Sequence, residues 1–234
     1  MDSSAINREV QDEIQAIQVL VQSPPAYGVC QTTCCIVGGG PAGAFLALLL
    51  ARQGISVILL EAHKNFERDF RGDTIHPAVL EVIGEIGLAD RLLQLPHTKA
   101  YYVQFHTSTG LIRFDDFRHL KTPYPYVMKL PQEQFLEFLI SEAKQYDNFQ
   151  LIMGARVEQL IEENGVIQGV RYRGHNDMVE VRAALTVGAD GRFSWIRRLA
   201  GMTPTKLSPP LDFLWFHLPR YEDDPHVEAV ELYF

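Results

Sequence analysis

The sequence predicts an α/β fold with a parallel sheet, and three observations predict it. The first is an apolar strand running into a glycine-rich turn, Cys35-Ile36-Val37-Gly38-Gly39-Gly40-Pro41-Ala42-Gly43. The second is the Ala- and Leu-rich stretch from Pro41 to Gln53, which reads as a helix stopped by Gly54. The third is another apolar strand, Ile55-Ser56-Val57-Ile58-Leu59-Leu60, closing on Glu61. Strand, helix and strand in this order make a β-α-β unit, whose two strands must run parallel.

Each residue of the turn has a physical reason to be there. Gly38 makes the tight turn out of the strand, Gly40 lets backbone N–H groups approach a pyrophosphate, and Gly43 lets the helix pack closely on the sheet. Pro41 and Ala42 open that helix and belong to the same candidate binding set, because the helix N-terminus is aimed at the phosphates. Glu61 follows roughly 20 residues later, where a carboxylate accepts a hydrogen bond from a ribose 2′-OH. The acid disfavours a 2′-phosphate at this point, which leaves FAD or NAD, and these residues alone do not separate the two. The alternative is a phosphate-free α/β turn.

Composition narrows the class. The 234 residues are 47% apolar, enough to build one sizeable or two small cores. A net charge of -8 and a pI near 5.5 argue against nucleic acid as a general partner. No apolar run reaches the length of about 18 residues that a spanning helix needs, so no transmembrane segment is expected. The start, Met1-Asp2-Ser3-Ser4, is not a secretory signal, and a cytoplasmic location is the expectation. Cys30, Cys34 and Cys35 lack zinc spacing, and Cys34 and Cys35 read as small strand residues; a reactive thiol is the alternative. The eight histidines are scattered with no i, i+4 pair, so no metal site is expected.

Ahead of the first strand, Ile6, Val10, Ile14, Ile17 and Val21 recur at helical spacing, giving an amphipathic helix over Glu9 to Leu20 that Pro24-Pro25 ends. After Glu61 comes a loop through Arg71 and Gly72, then a helix from about Pro77 to Leu95. Tyr101 to Phe105 and Leu111 to Phe114 form a hairpin across Thr107-Ser108-Thr109-Gly110. A helix over Pro131 to Tyr146 buries Phe135, Leu136, Phe138 and Leu139. Strands follow at Gln150 to Met153, Ala155 to Glu162, Gly165 to Arg173 and Val179 to Thr186, with a turn at Glu163-Asn164-Gly165. A late apolar strand, Leu211 to Leu218, carries His217, which is either a strand histidine or a residue facing a substrate pocket. Val227 to Phe234 alternate like a strand and stop without a turn, so a missing C-terminal part is expected.

Leu185-Thr186-Val187-Gly188-Ala189-Asp190-Gly191-Arg192-Phe193-Ser194 is a second strand-turn-helix, with Ser194 at the N-cap of a helix from Trp195 to Ala200. Free N–H groups beside an arginine would suit an anion. Taken by itself, a turn and cap is the simpler reading.

Together the two glycine motifs resemble the group A flavoprotein monooxygenases, the para-hydroxybenzoate hydroxylase family, over about residues 31 to 220. The resemblance implies that Gly38, Gly40, Gly43 and Glu61 hold the ADP part of FAD. It implies that Asp190, Gly191 and Arg192, with Ser194 and Arg197, match an Asp-Gly fingerprint serving FAD and linked to NAD(P)H. Phe70-Arg71-Gly72-Asp73 matches the segment whose arginine contacts FAD, and Gln132 matches a further cofactor contact. A surface ion pair is the alternative for Arg71.

The implied fold is a glutathione-reductase-type, Rossmann-like FAD-binding domain, residues 31–100 and 131–202. An incomplete antiparallel substrate domain, residues 101–130 and 203–234, interrupts it, and residues 1–30 form the N-terminal helix and linker. The implied activity is hydroxylation of an aromatic or other small organic substrate, with NADH or NADPH reducing FAD and molecular oxygen forming a flavin C4a-hydroperoxide. No side chain need then be a catalytic nucleophile. A homodimer stays open. The family's further Gly-Asp motif is missing: Asp212 precedes Phe213, and Asp223-Asp224 precede Pro225. The chain alone is therefore expected to bind FAD weakly and to catalyse little. The alternatives are an FAD-dependent reductase of the same superfamily and a non-catalytic FAD-binding module.

Overall fold

The computed structural model of the chain describes residues 28–67, 72–174, 177–205, 207 and 228–233. The helix expected over Glu9 to Leu20, Arg71, and the strand carrying His217 lie outside the described residues.

In chain order the elements begin with β1 (Val29–Val37), α1 (Pro41–Arg52), β2 (Val57–Glu61), β3 (Thr74–Ile75), α2 (Pro77–Glu85) and α3 (Ala89–Leu92). They continue with β4 (Thr98–Ala100), β5 (Tyr102–Thr107), β6 (Gly110–Asp116), β7 (Val127–Lys129) and α4 (Gln132–Ala143). The last are β8 (Phe149–Met153), β9 (Arg156–Glu163), β10 (Val166–Arg173), β11 (Met178–Gly188), α5 (Trp195–Leu199) and β12 (Ala229–Tyr233). They fall into two compact units, one from residues before 67 with residues 139–207, the other from residues 67–138 with those after 207.

The first unit is built on a six-stranded sheet in the order β8-β2-β1-β11-β10-β9. β8, β2, β1 and β11 run parallel, and β11, β10 and β9 form an antiparallel meander. All five residues of β2 are buried, as expected of a parallel strand covered on both faces. Cys35, Val37, Ile58, Leu60, Val181 and Tyr172 share one core with Ile196 of α5. The alternate residues Cys34, Ile36, Val57 and Leu59 are also buried, and Ala44, Ala47, Leu48 and Ala51 of α1 are buried where that helix meets β1 and β2. Burial, with the Cys34 thiol next in importance, pushes the Cys35 thiol up to about 12, which makes it a core side chain rather than a nucleophile.

The second unit holds two three-stranded sheets, β12-β5-β6 and β3-β7-β4. β12 lies parallel to β5, which pairs antiparallel with β6. Across that sheet Gln104 donates to Glu231 Oε1 at 2.7 Å, and His106 Nε2 lies 3.0 Å from the same oxygen. Lys129 Nζ donates to the Ala229 carbonyl at 2.7 Å, and burial lowers the Lys129 amine from its usual range.

One expected element divides. The helix from about Pro77 to Leu95 is two, α2 and α3, because Gly87 adopts a left-handed φ of 74° that ends the first. β3, β4 and β7, of two or three residues each, had no alternation long enough to be read.

Candidate functional site

Glu61 closes β2 only 3% exposed, and donors from Gly39 and His63 are among those that hold its carboxylate. The Gly39 N–H donates to Oε2 at 2.7 Å, and the His63 N–H donates to Oε1 at 2.9 Å. His63 Nδ1 lies 2.6 Å from Oε1. A carboxylate only accepts, so Nδ1 carries the proton and donates. The glycine turn is stitched on both sides: the Gly38 N–H donates to the Leu60 carbonyl at 2.8 Å, and the Ala189 N–H to the Val37 carbonyl at 2.7 Å. Turn, carboxylate and the loop after β11 are therefore one construction.

The glycines have distinct causes. Gly38 has a φ of 110°, and a side-chain carbon there would stand 2.5 Å from the Ala189 carbonyl oxygen. At Gly43 it would stand 1.9 Å from the Gly38 carbonyl oxygen, so α1 and the turn can approach only because the carbon is missing. Gly40, the N-cap residue, is different: a carbon built there meets nothing within 4 Å. Pro41 and Ala42 open α1, whose first turn has no acidic residue and no side-chain cap. An uncapped helix N-terminus beside open space suits an anion. The residues present fit a dinucleotide: room for a diphosphate at Gly40, and a carboxylate for a ribose at Glu61.

In the second motif the turn and cap of the simpler reading form, and the expectation of free N–H groups does not hold. The N–H groups expected to be free are capped. Asp190 Oδ2 accepts from the Trp195 N–H at 2.6 Å and the Ile196 N–H at 3.0 Å, while Oδ1 accepts from the Ser194 hydroxyl. Ser194 Oγ in turn accepts from the Arg197 N–H at 2.9 Å. The chain's own carboxylate thus occupies the place an anion would take, while the backbone of Ala189 and Asp190 lies against the glycine turn at Gly38. Gly191 has a φ of 80° in the same turn. The Arg192 guanidinium sits 4.9 Å from the centre of the exposed Phe193 ring, and the Arg192 carbonyl accepts from Arg197 Nη2 at 2.9 Å. A groove of about 550 Å³ runs beside this motif rather than at the glycine turn, lined in part by Leu160, Thr186, Asp190, Ser194 and Arg197.

Gln132 opens α4. Its N–H donates to Asp73 Oδ1 at 3.1 Å and its side-chain amide points to the Gly72 carbonyl at 3.5 Å, next to the segment that carries Arg71. Sequence reasoning gave no contact of its own to Asp73 or His63. The spacing Glu61-Ala62-His63 was the available signal for the second, since a residue two places beyond a strand-end acid can fold back on it.

Fold and turn together define a dinucleotide-binding α/β protein of the flavoprotein type. A family model described as FAD binding domain matches residues 31–223, and the chain belongs to that family. Among curated relatives, 6-methylpretetramide 4-monooxygenase of Streptomyces rimosus is 38% identical over 199 residues, 83% of this chain and 47% of that protein. Anhydrotetracycline hydroxylase OxyS, also of Streptomyces rimosus, matches in structure with a TM-score of 0.66 at 28% identity, over 76% of this chain and 36% of that one. PqsL of Pseudomonas aeruginosa, solved with 2-aminobenzoylacetate, shares the fold at 24% identity and a TM-score of 0.65, over 77% and 48% of the two chains. The chain thus spans half or less of the length of these proteins.

Proposed function

We propose that this chain is the FAD-holding part of an FAD-dependent monooxygenase that hydroxylates an aromatic or other small organic substrate, with NADH or NADPH as reductant and molecular oxygen as co-substrate. The observation that carries the reading is the 38% identity over 199 residues to 6-methylpretetramide 4-monooxygenase, together with a family match over residues 31–223 that includes both glycine motifs. Residues 31–100 and 131–202 form the FAD domain in this reading, and residues 101–130 and 203–234 belong to the substrate domain.

Bound FAD would supply the electron transfer and the reaction with oxygen that no side chain can perform. The residues of the chain bind and orient it. Gly40, Pro41, Ala42 and Gly43 present the start of α1 to the diphosphate, Gly38 sets the turn, and Glu61 accepts from the ribose. Arg71 and Gln132 contact the cofactor from their own segment. Asp190 and Gly191 act by shaping the loop that meets the glycine turn at Ala189, and Arg192 is left exposed for an anionic group.

Oxygen consumption tests the reading. For the whole enzyme of which this chain would be the FAD-holding part, with FAD, NADH or NADPH and a panel of aromatic substrates, the expected result is substrate-dependent oxygen uptake and a product one oxygen atom heavier. A saturated product formed without oxygen would make the protein a reductase and overturn it.

A further inference from the structure

The donors on Glu61 are not equivalent. Two are backbone N–H groups, of Gly39 and His63, and both are fixed by the chain; the His63 carbonyl is itself pinned by the Gly154 N–H at 2.8 Å. Another is the His63 ring, whose side chain is 60% exposed while the Glu61 side chain is 4% exposed. A ring so exposed can swing out by rotation about its own side-chain bonds without disturbing the core. Oε1 already accepts from both His63 donors, as many as its two lone pairs direct. A ribose hydroxyl seeking that oxygen meets the ring in its way.

We propose that the His63 ring is a placeholder, satisfying the buried Glu61 carboxylate when no nucleotide is bound and giving up its place on Oε1 to a ribose hydroxyl when one docks. This rests on the reading of Glu61 as the ribose acceptor. The physical reason is that a buried carboxylate left short of a donor is costly, so a site that must be vacant between ligands needs an exchangeable partner. Because the ring competes with the ligand, removing it has effects of opposite sign: the ligand-free chain becomes less stable, and the nucleotide binds more tightly. A residue that merely positioned the acid would lose affinity when removed.

The test is calorimetric titration of the 234-residue chain with ADP and with 2′,3′-dideoxy-ADP, alongside thermal melting without nucleotide. For His63→Ala and the bulkier His63→Leu, ADP affinity should rise about three- to tenfold, the range expected from the typical net contribution of one hydrogen bond. The melting temperature of the ligand-free protein should fall. Dideoxy-ADP should show no gain, and His63→Asn, whose amide can replace Nδ1 as donor, should behave like the unaltered chain. Unchanged or weaker ADP binding in both the Ala and Leu variants, or an equal gain for dideoxy-ADP, overturns the proposal. Glu61→Gln separates the two levels. If it binds ADP as tightly as the unaltered chain, the ribose role of Glu61 has failed; if it binds weakly while His63→Ala gains nothing, only the placeholder has.

Discussion

At Gly43 a side-chain carbon would collide with a backbone oxygen, and at Gly40 it would project into open space. The same residue type is thus required for two reasons, one inside the protein and one outside it, and substitution tells them apart. Gly43→Ala must push α1 off the turn, and it should cost several kcal/mol of stability, on the order of a tight core overpacking. Gly40→Val should cost about 1 kcal/mol or less, the scale of an altered N-cap, yet weaken FAD binding tenfold or more. Urea unfolding and flavin-fluorescence titration of both variants measure the contrast. Gly38, Gly43 and Glu61 were legible in the sequence because their spacing alone dictates a turn, a close approach and an acid at a strand end. The His63 contact was not, because an exposed ring's choice of partner is decided by rotation and not by pattern.

Among the elements, α5 shows a motif whose turn and cap form as the simpler reading has them, while its N–H groups are not free for an anion. The strand, the turn and the Ser194 N-cap all stand where the sequence put them. The N–H groups of its first turn, however, go to Asp190 and Ser194 rather than to an outside anion. Whether a carboxylate faces a ligand or caps the helix four residues on depends on an ångström-scale reach that no spacing reveals. Asp190→Ala should therefore destabilise the chain by about 2 kcal/mol, the upper range for a lost cap, and Ser194→Ala by about 1 kcal/mol. Chemical denaturation measures both. A loss of nucleotide affinity in Asp190→Ala with stability unchanged would contradict the capping role. The divided helix over α2 and α3 has a similar lesson: apolar periodicity ran on through Gly87, and only the left-handed backbone there stops it.

At the scale of the whole molecule, the parallel sheet around β1 was legible because its β-α-β unit is local, and β2 and the second half of β1 are apolar and buried on both faces. The meander was legible too, since the Asn164-Gly165 turn joins β9 to β10 with φ values of 52° and 77°. The second unit was less so. Its sheet pairs β12 with β5, joining Gln104 to Glu231 across 127 positions of sequence, and no local signal announces such a partner. The central claim is that the first unit holds FAD at the glycine turn, and direct titration tests it. Flavin fluorescence followed as the chain is added to FAD should show saturable, one-to-one quenching that excess ADP reverses. No quenching, or quenching that ADP leaves untouched, would contradict it.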